Sequence, residues 1–160
     1  MRLQRVSAIA ATLFAMAVSV AAAATPAQAA PGDMTIRHAI NGNCVEVNSV
    51  NIRMYSCGRD PRQRWAMYDR EDGWFALYNR GGAGCLTHIW GHIEAQNQEC
   101  LVEDQRQWWR WQAEPFGYYS LVNRGGACLS MRTNSADDKV PVRVFDCDGN
   151  ILQLFRPVPD

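Results

Sequence analysis

The side chains of this 160-residue chain that could do chemistry fall into three groups. The first couples an acidic or hydroxyl residue to an aromatic one around cysteines: Glu46 with Tyr55, and Ser130 with Phe145. A carboxylate accepts hydrogen bonds from hydroxyl groups, and an aromatic face packs against C–H surface. The second group is His88-Ile89-Trp90-Gly91-His92. Its two histidines resemble a metal pair, but a closed zinc site wants four ligands, so no metal or cofactor is expected. Trp90 reads either as an exposed binding aromatic or as a lid. The third group is six cysteines. With three histidines in all and no nucleophile beside an activating base, the chain is not expected to be an enzyme.

Cysteine use depends on compartment, and the N-terminus points outward. Arg2 and Arg5 precede an Ala- and Val-rich run from Val6 to Ala24, and Ala27-Gln28-Ala29 supplies the small residues of a cleavage site. Residues 1–29 are read as a secretory signal peptide and residues 30–160 as one exported domain. The apolar run is short and weak for a membrane span. Without Arg2 and Arg5 the chain keeps fourteen basic and sixteen acidic residues, a net charge of −2. That balance offers no footprint for nucleic acid or an anionic membrane. Arg supplies fifteen of the sixteen basic residues, which fits a GC-rich bacterial gene.

The elements that must position these groups repeat three times. Ile36, Leu77 and Leu121 open strand-like segments, followed by Asn41-Gly42-Asn43, Gly81-Gly82-Ala83-Gly84 and Gly125-Gly126-Ala127. Each turn leads to a cysteine, and Asn-Arg-Gly-Gly-Ala recurs at 79–83 and 123–127. A second cysteine follows in each copy, then Gln63-Arg64-Trp65, Gln107-Trp108-Trp109 or Gln153-Leu154-Phe155. The copies run over about 34–73, 74–116 and 117–157. Pairing within each copy gives Cys44–Cys57, Cys85–Cys100 and Cys128–Cys147, each contributing on the order of 3 kcal/mol by closing a small loop. Val140-Pro141-Val142-Arg143-Val144 alternates at period two, and no long 3.6-period stripe follows residue 30. The expectation is an all-β chain with little more than a 3₁₀ turn at each Gln-x-Trp. One copy cannot bury its own apolar face, but three can close a barrel.

Three Gln-x-Trp or Gln-x-Phe motifs in register with three cysteine pairs resemble the ricin B-type lectins across about residues 35–157. The resemblance implies a β-trefoil of three repeats about a pseudo-threefold axis, with shallow sugar sites. It assigns Trp65, Trp109 and Phe155 to the core as plugs, and Gln63, Gln107 and Gln153 chiefly to turns. In that family an Asp follows the first cysteine by two residues, an aromatic precedes the second by two, and an Asn precedes the Gln. Here the first copy has Glu46, Tyr55 and Arg62, the second Thr87, Gln98 and Arg106, and the third Ser130, Phe145 and Leu152.

No copy keeps the whole set. Glu46 and Tyr55 make the best conventional pair, and both are read as surface groups. The third copy has a longer loop with Asp137 or Asp138 as displaced carboxylates, and the second ranks last. The expected carbohydrate contacts are Glu46, Tyr55, Gln63, Ser130, Asp137, Phe145 and Gln153, and the expected partner is a glycan or glycoconjugate. The alternative is a protein partner or toxin subunit, because the lost carboxylates and the surplus aromatics also resemble the lectin-like subunits of cytolethal distending toxins. Trp108, beside the plug Trp109, is expected either to face outward or to pack beneath a loop.

Overall fold

A computed structural model describes residues 32–160, so the expected signal segment lies outside the described residues. Twelve antiparallel strands follow one another in three sets of four. The first set is β1 (Met34–His38), β2 (Cys44–Asn48), β3 (Asn51–Tyr55) and β4 (Trp65–Asp69). The second is β5 (Phe75–Asn79), β6 (Gly84–His88), β7 (Ala95–Gln98) and β8 (Trp109–Ala113). The third is β9 (Tyr119–Asn123), β10 (Ala127–Met131), β11 (Val140–Asp146) and β12 (Phe155–Pro159).

The outer strands of each set close a six-stranded ring in the order β1, β4, β5, β8, β9, β12 and back to β1. Closure removes the free edges that would template aggregation. The inner strands form hairpins β2–β3, β6–β7 and β10–β11. These meet over one end of the ring through β3–β11, β3–β7 and a Glu94–Arg143 bridge.

Side-chain alternation explains the core. Ile36, Leu77 and Leu121 point into the ring beside Trp65, Trp109 and Phe155, and all six are fully buried. The indole N–H groups of Trp65 and Trp109 donate to the carbonyls of Val45 and Leu86 at 3.0 and 2.8 Å, tying each plug to its hairpin. The three disulfides form within the repeats as expected.

Short 3₁₀ turns at Pro61–Gln63, Gln105–Gln107 and Ile151–Gln153 precede the plugs. Asp60, Asp104 and Asn150 cap them by accepting from the backbone N–H two residues on. A further turn at Pro115–Gly117 holds Phe116 at φ +62° with its ring 92% exposed. No helix among the described residues is long and apolar enough to cross a membrane.

Candidate functional site

The Gln of each repeat is a structural brace. Gln63 Oε1 accepts from Gly58 N at 2.8 Å and Nε2 donates to Ser56 O at 3.1 Å. Gln107 does the same with Leu101 N and Glu99 O, and Gln153 with Asp148 N and Asp146 O. Each thereby fastens the loop around the second cysteine to the 3₁₀ turn. Gln63 and Gln153, counted above among sugar contacts, are buried with their amides engaged by backbone, a correction to that expectation.

Glu46 is corrected too. It is 4% exposed rather than a surface group. Its Oε2 accepts from Gln63 Nε2 at 2.7 Å, and Arg62 Nη2 stands 3.5 Å from Oε1. Arg62 in turn grips both oxygens of Asp60, with Nη2–Oδ2 at 2.7 Å. These bonds hold the Asp60 carboxyl below the usual carboxylate range. Tyr55 remains partly exposed, its hydroxyl accepting from Asn48 Nδ2 at 2.7 Å. The first repeat thus turns the carboxylate of its best conventional pair inward.

The second repeat repeats the arginine device. Arg106 grips Asp104 in the same fork, lowering that carboxyl's pKa, and Thr87 Oγ1 is spent on Cys85 O.

The third repeat differs because Leu152 stands where Arg62 and Arg106 stand, and Asn150 replaces their Asp partners. A cavity of about 410 Å³ opens there, bordered by Ser130, Arg132, Phe145, Asp146, Asp148 and Gln153 among others. Phe145 is 39% exposed, so its face is available, while Ser130 is buried and donates to Met131 O at 3.0 Å. Asp148 Oδ1 accepts from Asn150 N at 2.9 Å. Ser130, Phe145 and Gln153 are therefore brought together as the register required. Asp137 is not: it lies off the cavity and accepts from Ser135 Oγ at 2.7 Å, while Asp138 reaches across to Ser56 N and Oγ. The carboxylates that do line the cavity, Asp146 and Asp148, flank Cys147 and were not singled out from the sequence. Their place one residue either side of that cysteine was the available signal.

The repeated Asn-Arg-Gly-Gly-Ala segment is a clasp between repeats. Asn79 Nδ2 donates to the carbonyls of Arg62 and Arg64 in the preceding repeat, and its Oδ1 accepts from Gly82 N at 2.6 Å. Asn123 does likewise with Arg106, Trp108 and Gly125. A Cβ on Gly81 would fall 2.5 Å from the backbone nitrogen of Arg62, so that position requires glycine. In the first repeat His38 replaces the Asn, and its Nε2 lies 3.2 Å from Ile151 O.

The two histidines differ: the His92 side chain is exposed and only its carbonyl takes part. His88 is buried, with its ring nitrogens against Asn123 Oδ1 and His92 O, and no cluster of three metal-ligating side chains occurs among the described residues. Trp90 is 49% exposed and its N–H reaches Asn123 Oδ1 at 3.3 Å. Trp108 packs beneath the loop before it, donating to Val102 O at 3.0 Å.

No family model and no curated protein matches the chain by sequence. By structure it is similar to a designed threefold-symmetric protein, ThreeFoil, with TM-score 0.74, 24% identity, and 81% of this chain aligned to 99% of that one. It is also similar to the Haemophilus ducreyi cytolethal distending toxin, with TM-score 0.70, 18% identity, and 80% aligned to 83%. A Rhizoctonia solani agglutinin gives TM-score 0.70 at 13% identity, with 85% aligned to all of that chain. Against longer proteins, the chain spans as little as 17% of the matched length. These likenesses place it among threefold, trefoil-type β folds.

Proposed function

We propose that this protein is a secreted ricin-type β-trefoil that binds carbohydrate in the cavity of its third repeat. The observation that carries the reading is the convergence there of Phe145, Asp146 and Asp148 over the Gln153 brace. Phe145 offers a face for sugar C–H groups, the carboxylates accept from hydroxyls, and Arg132 supplies donors. The first repeat is a weaker candidate because Glu46 is already paired with Gln63 and Arg62. Three disulfides suit an oxidising extracellular compartment.

One shallow site of millimolar strength is worth only about 4 kcal/mol, so function would rest on several sites or several chains. The test is a glycan array probed at high protein density, repeated with Phe145→Ala. Binding that the substitution abolishes supports the reading, and silence of the wild-type protein overturns it.

A second reading, a protein-binding trefoil serving a toxin, is favoured by one surface. Arg110 and Arg124 stack on Trp74 at 4.8 and 5.3 Å, and Arg124 also lies 5.2 Å from Trp108. Layered guanidinium and indole groups are the residue types enriched in protein interfaces. A silent glycan array together with one stoichiometric partner in culture fluid would favour this reading.

A further inference from the structure

At the seam between the third repeat and the first, Arg37 of β1 and Arg156 of β12 are direct cross-strand partners. Like charges directly opposed on a ladder disfavour pairing. Among the described residues no carboxylate lies within ion-pair distance of either. The side-chain hydrogen bond of Arg37 is a long one, Nε to Thr35 Oγ1 at 3.4 Å.

The other two seams engage their arginines. Between the first and second repeats Arg80 Nε meets Asp33 Oδ1 at 2.7 Å. Between the second and third, Arg110 and Arg124 stack on Trp74. Tyr118 occupies the place of Asp33 and Trp74 at the remaining seam, where Arg156 lies 5.0 Å from its ring centre. That contact holds one guanidinium over an aromatic face, and among the described residues its exposed N–H groups have no protein acceptor.

The two arginines border a cavity of about 210 Å³ whose walls include Tyr118, Gly42 and His38. Two exposed arginine side chains therefore border one open cavity at this seam.

We propose that this seam is an oxyanion site in which Arg37 and Arg156 bind a sulfate or phosphate group. Each guanidinium presents a planar fork of N–H donors matched to such oxygens, and the anion cancels the repulsion between the strands. The site shares no lining residue with the third-repeat cavity, and it stands whether or not that cavity binds a neutral sugar.

The test follows the arginine Nε–H resonances of the ¹⁵N-labelled secreted protein at constant ionic strength. Inorganic sulfate, inorganic phosphate and galactose 6-sulfate are titrated in turn. The expected result is saturable shifts at Arg37 and Arg156, weakened at least tenfold by R37Q and by R156Q and unchanged by R59Q. R156K, which keeps the charge without the fork, should fall between. Galactose 6-sulfate binding at least threefold tighter than inorganic sulfate identifies an ester on a sugar as the source, and equal affinities identify the free anion. Shifts that never saturate, or that move Arg110 and Arg124 equally, overturn the site.

Discussion

Gln63 donates its amide N–H to Glu46 Oε2 at 2.7 Å inside the first repeat. The residue best suited by type to accept sugar hydroxyls is instead an acceptor for the fold. Arg62 supports the same bond from the other oxygen and is itself pinned by Asp60. In the third repeat Ser130 replaces Glu46 and Leu152 replaces Arg62, so the equivalent brace, Gln153, has no carboxylate partner and the space above it stays open.

Glu46→Ala should therefore cost stability rather than binding. The expected loss is about 1–3 kcal/mol, because the buried Gln63 amide loses an acceptor, while the exposed Arg62 keeps Asp60. Glu46→Gln should cost less, since an amide oxygen still accepts from Gln63. Urea unfolding midpoints check the first point, and sugar titration of the same variants checks the second. Lost binding with unchanged stability would return the site to the first repeat.

Phe145→Ala should do the reverse. Its ring is half in solvent, so stability should change by no more than about 1 kcal/mol while sugar affinity falls at least tenfold. Phe145→Trp should preserve binding, because it keeps an aromatic face. Asp148→Asn probes the charge at nearly constant shape, and weaker sugar binding with an unshifted unfolding midpoint is the expected pair of readings.

The framework was legible in the sequence because it is periodic. Register alone aligned the cysteine pairs and the three plugs, and Trp65, Trp109 and Phe155 are all fully buried. The direction of Glu46 was not legible, because it depends on Gln63 and Arg62 lying over it across the repeat. Trp108 was ambiguous for a related reason: it sits in the turn before β8, where strand alternation does not apply. Asp146 and Asp148 escaped notice because their place in the cavity comes from the loop that Gln153 braces.

Trp109→Ala should be the most damaging single change in the barrel. It empties a fully buried site and orphans the Leu86 carbonyl that the indole satisfies at 2.8 Å, so about 3–5 kcal/mol should be lost. Trp109→Phe should be milder, since Phe155 fills the equivalent place in the third repeat. Chemical denaturation of both variants checks the order, and equal losses would mean that the hydrogen bond, rather than the volume, dominates.

His38 makes the closure between the first and last repeats sensitive to acid where the other two clasps are not. Burial lowers its pKa from 6.5, and in the folded protein the neutral ring faces Ile151 O through Nε2. Below pH 6.5 the unfolded chain takes up a proton that the folded chain resists. The unfolded state then holds more protons, so stability is complete above about pH 6.5 and declines as pH falls below it, by at most about 1.4 kcal/mol per pH unit. Asp60 and Asp104 act in a separate window. Their depressed pKa values contribute stability that is present above 3.8 and lost only in stronger acid. His38→Asn installs the residue found at positions 79 and 123, whose amides donate to the preceding repeat without titrating. Unfolding free energies of the two proteins from pH 7.5 to 5 should therefore diverge as pH falls, with the variant showing the shallower decline. A difference that stays constant across that range would mean His38 takes up its proton equally in both states, and the seam would not be the source of the acid response.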